Sequence, residues 1–278
     1  MAADKNYKDR LFNFIFGRTD HKDWTLSLYN AINGSNYTDP GLVEFNTLED
    51  MLYLGMKNDT SFIISDIMSV YEHQSSYNPN MPLRMLGYTD ELYSGYVTKN
   101  KLNKYGSTLL KLPVPKLVVF YNGERETEDE KILKLTDSFP EVVRDGSDIE
   151  IRVRMLNINY GRNKELLNAC KPLAEYSWFV RSVKRNRLDH NLDKAIDIAI
   201  SVMPDDYSIK EFLVIHRAEV LGMLARDYSE EEIRELFMED GRKEERANTE
   251  AERVRADKAE AENKVLREEI ARLKAAQA

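Results

Sequence analysis

The composition of this 278-residue chain excludes several classes of protein before any motif is considered. Hydrophobic residues make up 42% of the chain and charged residues 32%, which is the balance of a folded, water-soluble protein. No apolar run approaches the ~20 residues that a membrane-spanning helix needs. The formal net charge of −8 argues against attraction of nucleic acid to the whole surface, but it leaves room for a local basic groove.

Cysteine usage and the N-terminal residues predict a cytoplasmic protein. Cys170 is the single cysteine and forms no intrachain disulfide, which fits a reducing compartment. It lies in a helical pattern, where a free cysteine is usually a packing residue rather than a nucleophile. The first twelve residues are charged and lack the apolar segment of a secretory signal. The four histidines show no zinc-ligand spacing.

Hydrophobic periodicity predicts an α/β arrangement in the first half of the chain. In chain order the predicted elements are two helices within 7–32 broken near Gly17–Asp20, a loop at 33–41, strands at 50–56, 60–65 and 68–74, a helix over 83–100 and a strand at 116–123. The strands are joined by tight turns at 57–59 and 65–67, as in a meander of hairpins. Pro82 marks the first turn of the helix. The last strand is apolar throughout, which indicates a central strand buried on both faces.

The second half of the chain is predicted to be mainly helical. A strand at 149–160 precedes helical patterns at 163–185, 191–202 and 208–225. The expected organisation is therefore a core over 1–125, with a mixed sheet flanked by helices, and a strand plus helical extension over 126–228 packed on it. Residues Trp24, Phe62, Ile64, Val118, Val119 and Phe120 are predicted to lie in the hydrophobic core.

The C-terminal segment, 229–278, is predicted to form a charged helix. A heptad frame places Ala256, Asn263 and Ile270 at one seam position and Ala259, Leu266 and Leu273 at the other. An Asn in the seam sets register and disfavours higher oligomers, so a homodimeric coiled coil is expected. A lone surface helix is an equal alternative, because alanines in the seam bury little area.

The strand at 68–74 carries polar residues where a strand is usually most apolar. Glu72 and Gln74 are two residues apart and face one way, whereas His73 faces the other. If this strand pairs with 60–65, Asp59 lies near Glu72. Two converging carboxylates favour a divalent cation such as Mg²⁺. The Gln74 amide could then orient a water molecule, and Arg84 on the next helix could contact a phosphate.

These residues carry a resemblance to a known family. "KNDTSFII" followed by "YEHQSSYNPNMPLRMLGY" resembles the recombination-promoting nuclease (transposase-like) family of bacteria, within the PD-(D/E)XK nuclease superfamily. "KDRLFNFIFG", "LVVFYNG" and "LNINYG" also resemble it, so the likeness covers most of residues 5–225. It implies a restriction-endonuclease-like core, Mg²⁺-dependent hydrolysis of phosphodiester bonds, and DNA as the substrate.

The same resemblance assigns the roles of individual residues. It implies Asp59, Glu72 and Gln74 as catalytic residues, with Asp59 and Glu72 as the metal ligands. Arg84 and Tyr88 match the helix that follows the motif, and they are expected to bind substrate together with Lys57.

The chain departs from the superfamily motif at Gln74, which stands where the motif has lysine. An amide cannot supply the positive charge of a lysine, and Lys57 is a candidate to replace it. A non-catalytic DNA-binding or scaffold protein on a decayed nuclease fold is therefore the alternative function.

Structural alternatives also apply to individual residues. Asp59 and Asp66 also suit turns. Glu72 and Gln74 also suit a polar edge strand that faces solvent. Arg84 also suits a simple ion pair with a neighbouring carboxylate. His73 is expected to be structural. The segment 184–190 suits a polar interhelical loop better than a phosphate contact.

Overall fold

The described part of the computed structural model comprises residues 11–45 and 60–225. Its strands are β1 (Glu44–Phe45), β2 (Thr60–Ile64), β3 (Ile67–Gln74), β4 (Val114–Tyr121), β5 (Glu130–Lys134) and β6 (Arg152–Asn157). Its helices are α1 (Leu11–Phe16), α2 (Lys22–Asn33), α3 (Met81–Lys99), α4 (Lys164–Ala169), α5 (Lys171–Asn186), α6 (Leu192–Ser201) and α7 (Lys210–Ile215). Residues 217–225 are also helical.

The described strands form one mixed six-stranded sheet in the order β1-β2-β3-β4-β6-β5. The pairs β1–β2, β2–β3 and β5–β6 are antiparallel, whereas β3–β4 and β4–β6 are parallel. Parallel neighbours need a crossover, and α3 supplies it between β3 and β4. The chain is thus an α/β protein with helices flanking a mixed sheet, as the sequence predicts.

The interior strands are buried on both faces, which explains their apolar sequences. In β4 the residues from Leu117 to Tyr121 are all buried, and β4 lies between β3 and β6. The six residues predicted to be in the core are buried, so that prediction is confirmed. On one face α3 packs against the sheet through Met81, Met85, Tyr88 and Leu92.

Several predicted elements differ in extent from those observed. The pattern at 163–185 is two helices, because Cys170 is extended and Pro172 lies in the first turn of α5. The pattern at 208–225 is interrupted by a turn at His216. The strand β5 was not predicted, because a five-residue strand with alternating exposure, within a run of charged residues, gives a weak signal.

Some predictions fall outside the described residues or at their limits. The predicted strand at 50–56, the turn at 57–59 and the C-terminal helix over 229–278 with its coiled coil lie outside them. On the side of β2 away from β3, the neighbouring strand in the described residues is β1. The predicted boundary at residue 125 falls between β4 and β5, two strands of one sheet. No helix in the described ranges is long and apolar enough to cross a membrane.

Candidate functional site

The polar residues of β3 lie inside the sheet and not at its edge. β3 is paired on both sides, with β2 and with β4, so Glu72 and Gln74 sit on an interior strand. Their exposed fractions are only 2% and 6%. A polar edge strand that faces solvent is therefore excluded as the explanation. A buried carboxylate is costly unless a partner compensates it, so its surroundings decide what it can do.

Arg84 compensates the buried carboxylate of Glu72. Its Nη2 atom donates to Glu72 Oε1 at 2.7 Å and lies 2.6 Å from the Tyr88 hydroxyl oxygen. The Glu72 side chain is 3% exposed, whereas that of Arg84 is 36% exposed. The cation therefore links a buried carboxylate to the protein surface. Arg84 and Tyr88 lie one helical turn apart on α3, which brings both to the same point.

The charge on Arg84 is maintained by its neighbours. Partial burial removes water from the guanidinium and lowers the pKa of Arg84. The Glu72 carboxylate and the Tyr88 hydroxyl outweigh this effect, so the pKa of Arg84 is raised overall. Arg84 is therefore a cation near neutral pH, where an arginine is already fully protonated.

Gln74 is anchored by one end of its amide. Its Nε2 atom donates to the sulfur of Met81 at 2.7 Å, at the first turn of α3. None of the described residues donates a hydrogen bond to its amide oxygen. That oxygen can therefore accept a hydrogen bond from a water molecule or a ligand. Met81 was not predicted as a partner, because it meets Gln74 only when α3 packs against the strand.

His73 faces the opposite side of the sheet, as predicted. Its Nε2 atom is 3.0 Å from the hydroxyl of Tyr176 on α5, and its ring stacks on Phe12 of α1. Its exposed fraction is 4%. His73 thus belongs to an aromatic layer between the sheet and the helices α1 and α5, away from Glu72. A structural role for His73 is the one that its surroundings support.

The candidate site lies near the carboxyl ends of the parallel strands. Gln74, Tyr121 and Asn157 occupy one row across β3, β4 and β6. The backbone N–H of Asn122 donates to the Gln74 carbonyl, which fixes the loop after β4 against β3. A Cβ atom at Gly123 would overlap the Ser75 carbonyl oxygen, so this close approach requires glycine. Ligands of α/β sheets commonly bind at such an edge, where the loops after the strands meet.

Two of the predicted site residues, Asp59 and Lys57, lie outside the described residues. The last described pair of the β2–β3 hairpin is Thr60 opposite Tyr71. Within the described ranges, no group of three or more His, Cys, Asp or Glu side chains is placed to hold a metal ion. Asp66 lies in the tight turn between β2 and β3, and its carbonyl accepts a hydrogen bond from the backbone of Val114.

The described donor atoms suit a hard cation only in part. Glu72 offers a carboxylate and Gln74 an amide oxygen, and Mg²⁺ accepts such ligands while keeping several of its waters. One oxygen of Glu72 is engaged by Arg84. A second carboxylate is needed for a site of the predicted kind, and Asp59 is the residue expected to supply it.

The fold and the site define an α/β protein with a buried carboxylate and amide, and a partly exposed arginine bound to the carboxylate, at one end of its sheet. Comparison of the chain with models of protein families gives no match. Comparisons with curated proteins and with solved structures likewise give none. The candidate site therefore has to be interpreted from its own chemistry.

Proposed function

We propose that this protein is a metal-dependent DNA endonuclease that hydrolyses phosphodiester bonds at Glu72 and Gln74. The observation that carries the proposal is the burial of Glu72 and Gln74 side by side on one face of an interior strand, with Arg84 bound to Glu72. A sheet positions such groups more rigidly than a loop does, and metal-assisted hydrolysis needs that rigidity. The resemblance in sequence supplies the reaction class and the DNA substrate.

Asp59 is the residue on which the metal site depends. Thr60 pairs with Tyr71, and antiparallel partners share a face of the sheet. We expect the pairing to continue by one residue, which would put Asp59 opposite Glu72 on the α3 side. Asp59 and Glu72 would then hold one divalent ion between them. When bound, the ion would polarise a phosphoryl oxygen and lower the pKa of a coordinated water.

The remaining residues of the site have roles that follow from their contacts. The Gln74 amide oxygen accepts a hydrogen bond from water and orients it for attack on phosphorus. Arg84 orients Glu72, since Nη2 is bound to the carboxylate. With 36% of its side chain exposed, it also presents further N–H groups that can contact a phosphate oxygen. The Tyr88 hydroxyl contacts the same Nη2 atom and helps to hold the guanidinium in place. Lys57 is the proposed second cation.

Cleavage of a supercoiled plasmid with and without Mg²⁺ tests the proposal. Replacement of Glu72 by Gln keeps the shape of the side chain but removes its charge, so the rate should fall by more than about 100-fold. Asp59→Asn should have a similar effect. Gln74→Ala should cost only about tenfold, because an orienting group contributes less than a charged ligand.

Asp90→Asn is the matched control for these variants. Asp90 is an exposed carboxylate on α3, so its loss removes the same charge without touching the site. Its cleavage rate should equal that of the wild type. Wild-type protein that leaves the plasmid intact with either Mg²⁺ or Mn²⁺ would contradict the proposal.

A non-catalytic DNA-binding or scaffold protein is the second candidate function. The observation that favours it is that Glu72 and Gln74 already have partners inside the protein, in Arg84 and Met81. A polar cluster of this kind also stabilises a fold without performing chemistry. DNA binding without cleavage, unchanged in Glu72→Gln, is the result that would identify it.

A further inference from the structure

A second surface at the same end of the sheet has no part in the site described above. It consists of two adjoining cavities of about 220 and 530 Å³ beside α5, which share Tyr160 and Arg181 in their walls. The smaller cavity adjoins Asn122 and Lys184, and the larger one adjoins Trp178 and Arg185. We call this surface the α5 groove. Cavities of this size accommodate ligands of small to moderate size.

The α5 groove is basic in a chain whose net charge is −8. Arg181, Lys184 and Arg185 border it, and Asp189 is the one carboxylate in either wall. Arg181 and Arg185 are exposed and form no ion pair with any residue in the described ranges. They lie four residues apart on α5, so they project from one face about 6 Å apart along the axis. Unpaired cations that converge on a concave surface suit an anionic ligand.

Aromatic rings lie among these cations. Tyr160 follows β6 and is 46% exposed, and the guanidinium carbon of Arg181 is 4.5 Å from its ring centroid. Trp178 lies on α5 in the wall of the larger cavity. Alternating aromatic and cationic side chains stack bases and contact phosphates in proteins that bind single-stranded nucleic acid. An acidic peptide would use the cations but would leave the aromatic surface without a purpose.

The floor of the groove contains a polar group that lacks a partner. Asn122 is 6% exposed, and its Oδ1 atom is buried without a hydrogen bond from any described residue. Lys184 Nζ donates to the backbone carbonyl of Asn122 at 3.1 Å, which brings the ammonium group to the same place. A buried acceptor without a donor costs free energy, so this oxygen needs a donor from a water molecule or a ligand. The N–H groups of a nucleobase are donors of the required kind.

From these observations we infer that the α5 groove binds a single strand of nucleic acid. Arg181, Lys184 and Arg185 contact its phosphates, and Tyr160 and Trp178 contact its bases. A duplex fits less well, because its bases are stacked on each other and cannot reach the rings. The inference rests on the proposed function for the choice of nucleic acid over other polyanions. It adds the strand type and a binding surface on the side of the sheet opposite α3.

Fluorescence anisotropy with a labelled single-stranded deoxyoligonucleotide tests the inference. A chelator in the buffer prevents metal-dependent cleavage, so binding is measured alone. Arg181→Ala/Arg185→Ala should weaken binding by about tenfold or more. The slope of log K against the logarithm of the salt concentration should become less negative by about 1.4, or about 0.7 for each lost phosphate contact. Tyr160→Leu should weaken binding by about tenfold through lost stacking, without changing the salt dependence.

The matched control is Lys104→Ala/Lys111→Ala. Both lysines are exposed and lie between α3 and β4, at the opposite end of the sheet, so the variant loses the same charge elsewhere. It should bind like the wild type. Thermal melting of each variant checks folding, and Lys184→Gln provides another groove variant should the double substitution unfold the protein.

The outcomes separate this inference from the proposed function. Wild-type protein that binds no oligonucleotide, that prefers the duplex, or that loses no more affinity in the groove variants than in the control overturns the inference. Binding that depends on the groove, in a protein that cleaves no DNA, supports the inference and contradicts the proposed function. Cleavage that depends on Glu72, in a protein whose binding of the oligonucleotide does not depend on the groove, supports the proposed function and contradicts the inference.

Discussion

The two faces of β3 bury polar side chains by different means. On the α3 face, the described residue that compensates the Glu72 carboxylate is Arg84, a cation that reaches the surface. On the other face, His73 lies between the Phe12 ring and the Tyr176 hydroxyl, in a layer closed to solvent. The first arrangement can be opened by moving one partly exposed arginine, whereas the second requires the helices α1 and α5 to move. Polar burial alone therefore does not identify a functional site, and access to a charged partner is the better criterion.

The largest expected effect lies on the aromatic face. Phe12 is fully buried and contacts Phe16, His73, Phe120 and Tyr176. Phe12→Ala should lower the free energy of unfolding by about 3–5 kcal/mol, because truncation of a buried phenylalanine leaves a cavity. Urea denaturation measures this change. Leu83→Ala, at a position that is 61% exposed, is the control and should cost under about 0.5 kcal/mol. A loss below about 1 kcal/mol for Phe12→Ala would show that this layer is looser than its contacts indicate.

A smaller and asymmetric effect is expected on the α3 face. Arg84→Met removes the described cation from the buried Glu72 carboxylate and should cost about 2 kcal/mol, less than the loss of one partner of a fully buried pair, because Arg84 is partly exposed. Glu72→Met should cost less, since the arginine that remains can turn towards water. The double variant should be more stable than Arg84→Met alone. Urea denaturation of the four proteins forms a double-mutant cycle. Equal costs for the two single variants would refute the asymmetry.

The smallest effect concerns the thiol of Cys170, which lies on the same side of the sheet as α5. Burial raises the pKa of Cys170 to about 11, and the Ser27 hydroxyl donates to its sulfur at 3.6 Å. The native thiol should therefore resist alkylation by iodoacetamide near pH 8, and it should react after denaturation. Because the folded pKa is raised, this group's contribution to stability is complete below the unfolded pKa and is lost as the pH rises towards 11.

Cys170→Ala is the control for the pH dependence of stability. It removes the titrating group, so its unfolding free energy should fall less between roughly pH 9 and 11 than that of the wild type. Rapid alkylation of the native wild-type protein at pH 8 would mean that solvent enters this side of the sheet.

The sequence by itself determined most of the local structure and the candidate residues. The polar pattern of β3 placed Glu72 and Gln74 on one face and His73 on the other, because alternation along a strand is a local property. Pro82 marked the start of α3, and the apolar run at 116–123 indicated a central strand. These inferences depend on neighbouring residues only, so no knowledge of the packing was needed.

Only the tertiary structure decided which residues from distant parts of the chain meet. Glu72 and Arg84 were both named from the sequence, but their direct ion pair depends on how α3 packs on the sheet. The groove was not predicted, because Asn122, Tyr160 and Arg181 come from three separate elements. The segment 184–190, expected to be a loop, begins instead as the last turn of α5, which presents its cations on a helix. The edge strand β5 was missed because its pairing with β6 depends on long-range contacts and not on its own sequence.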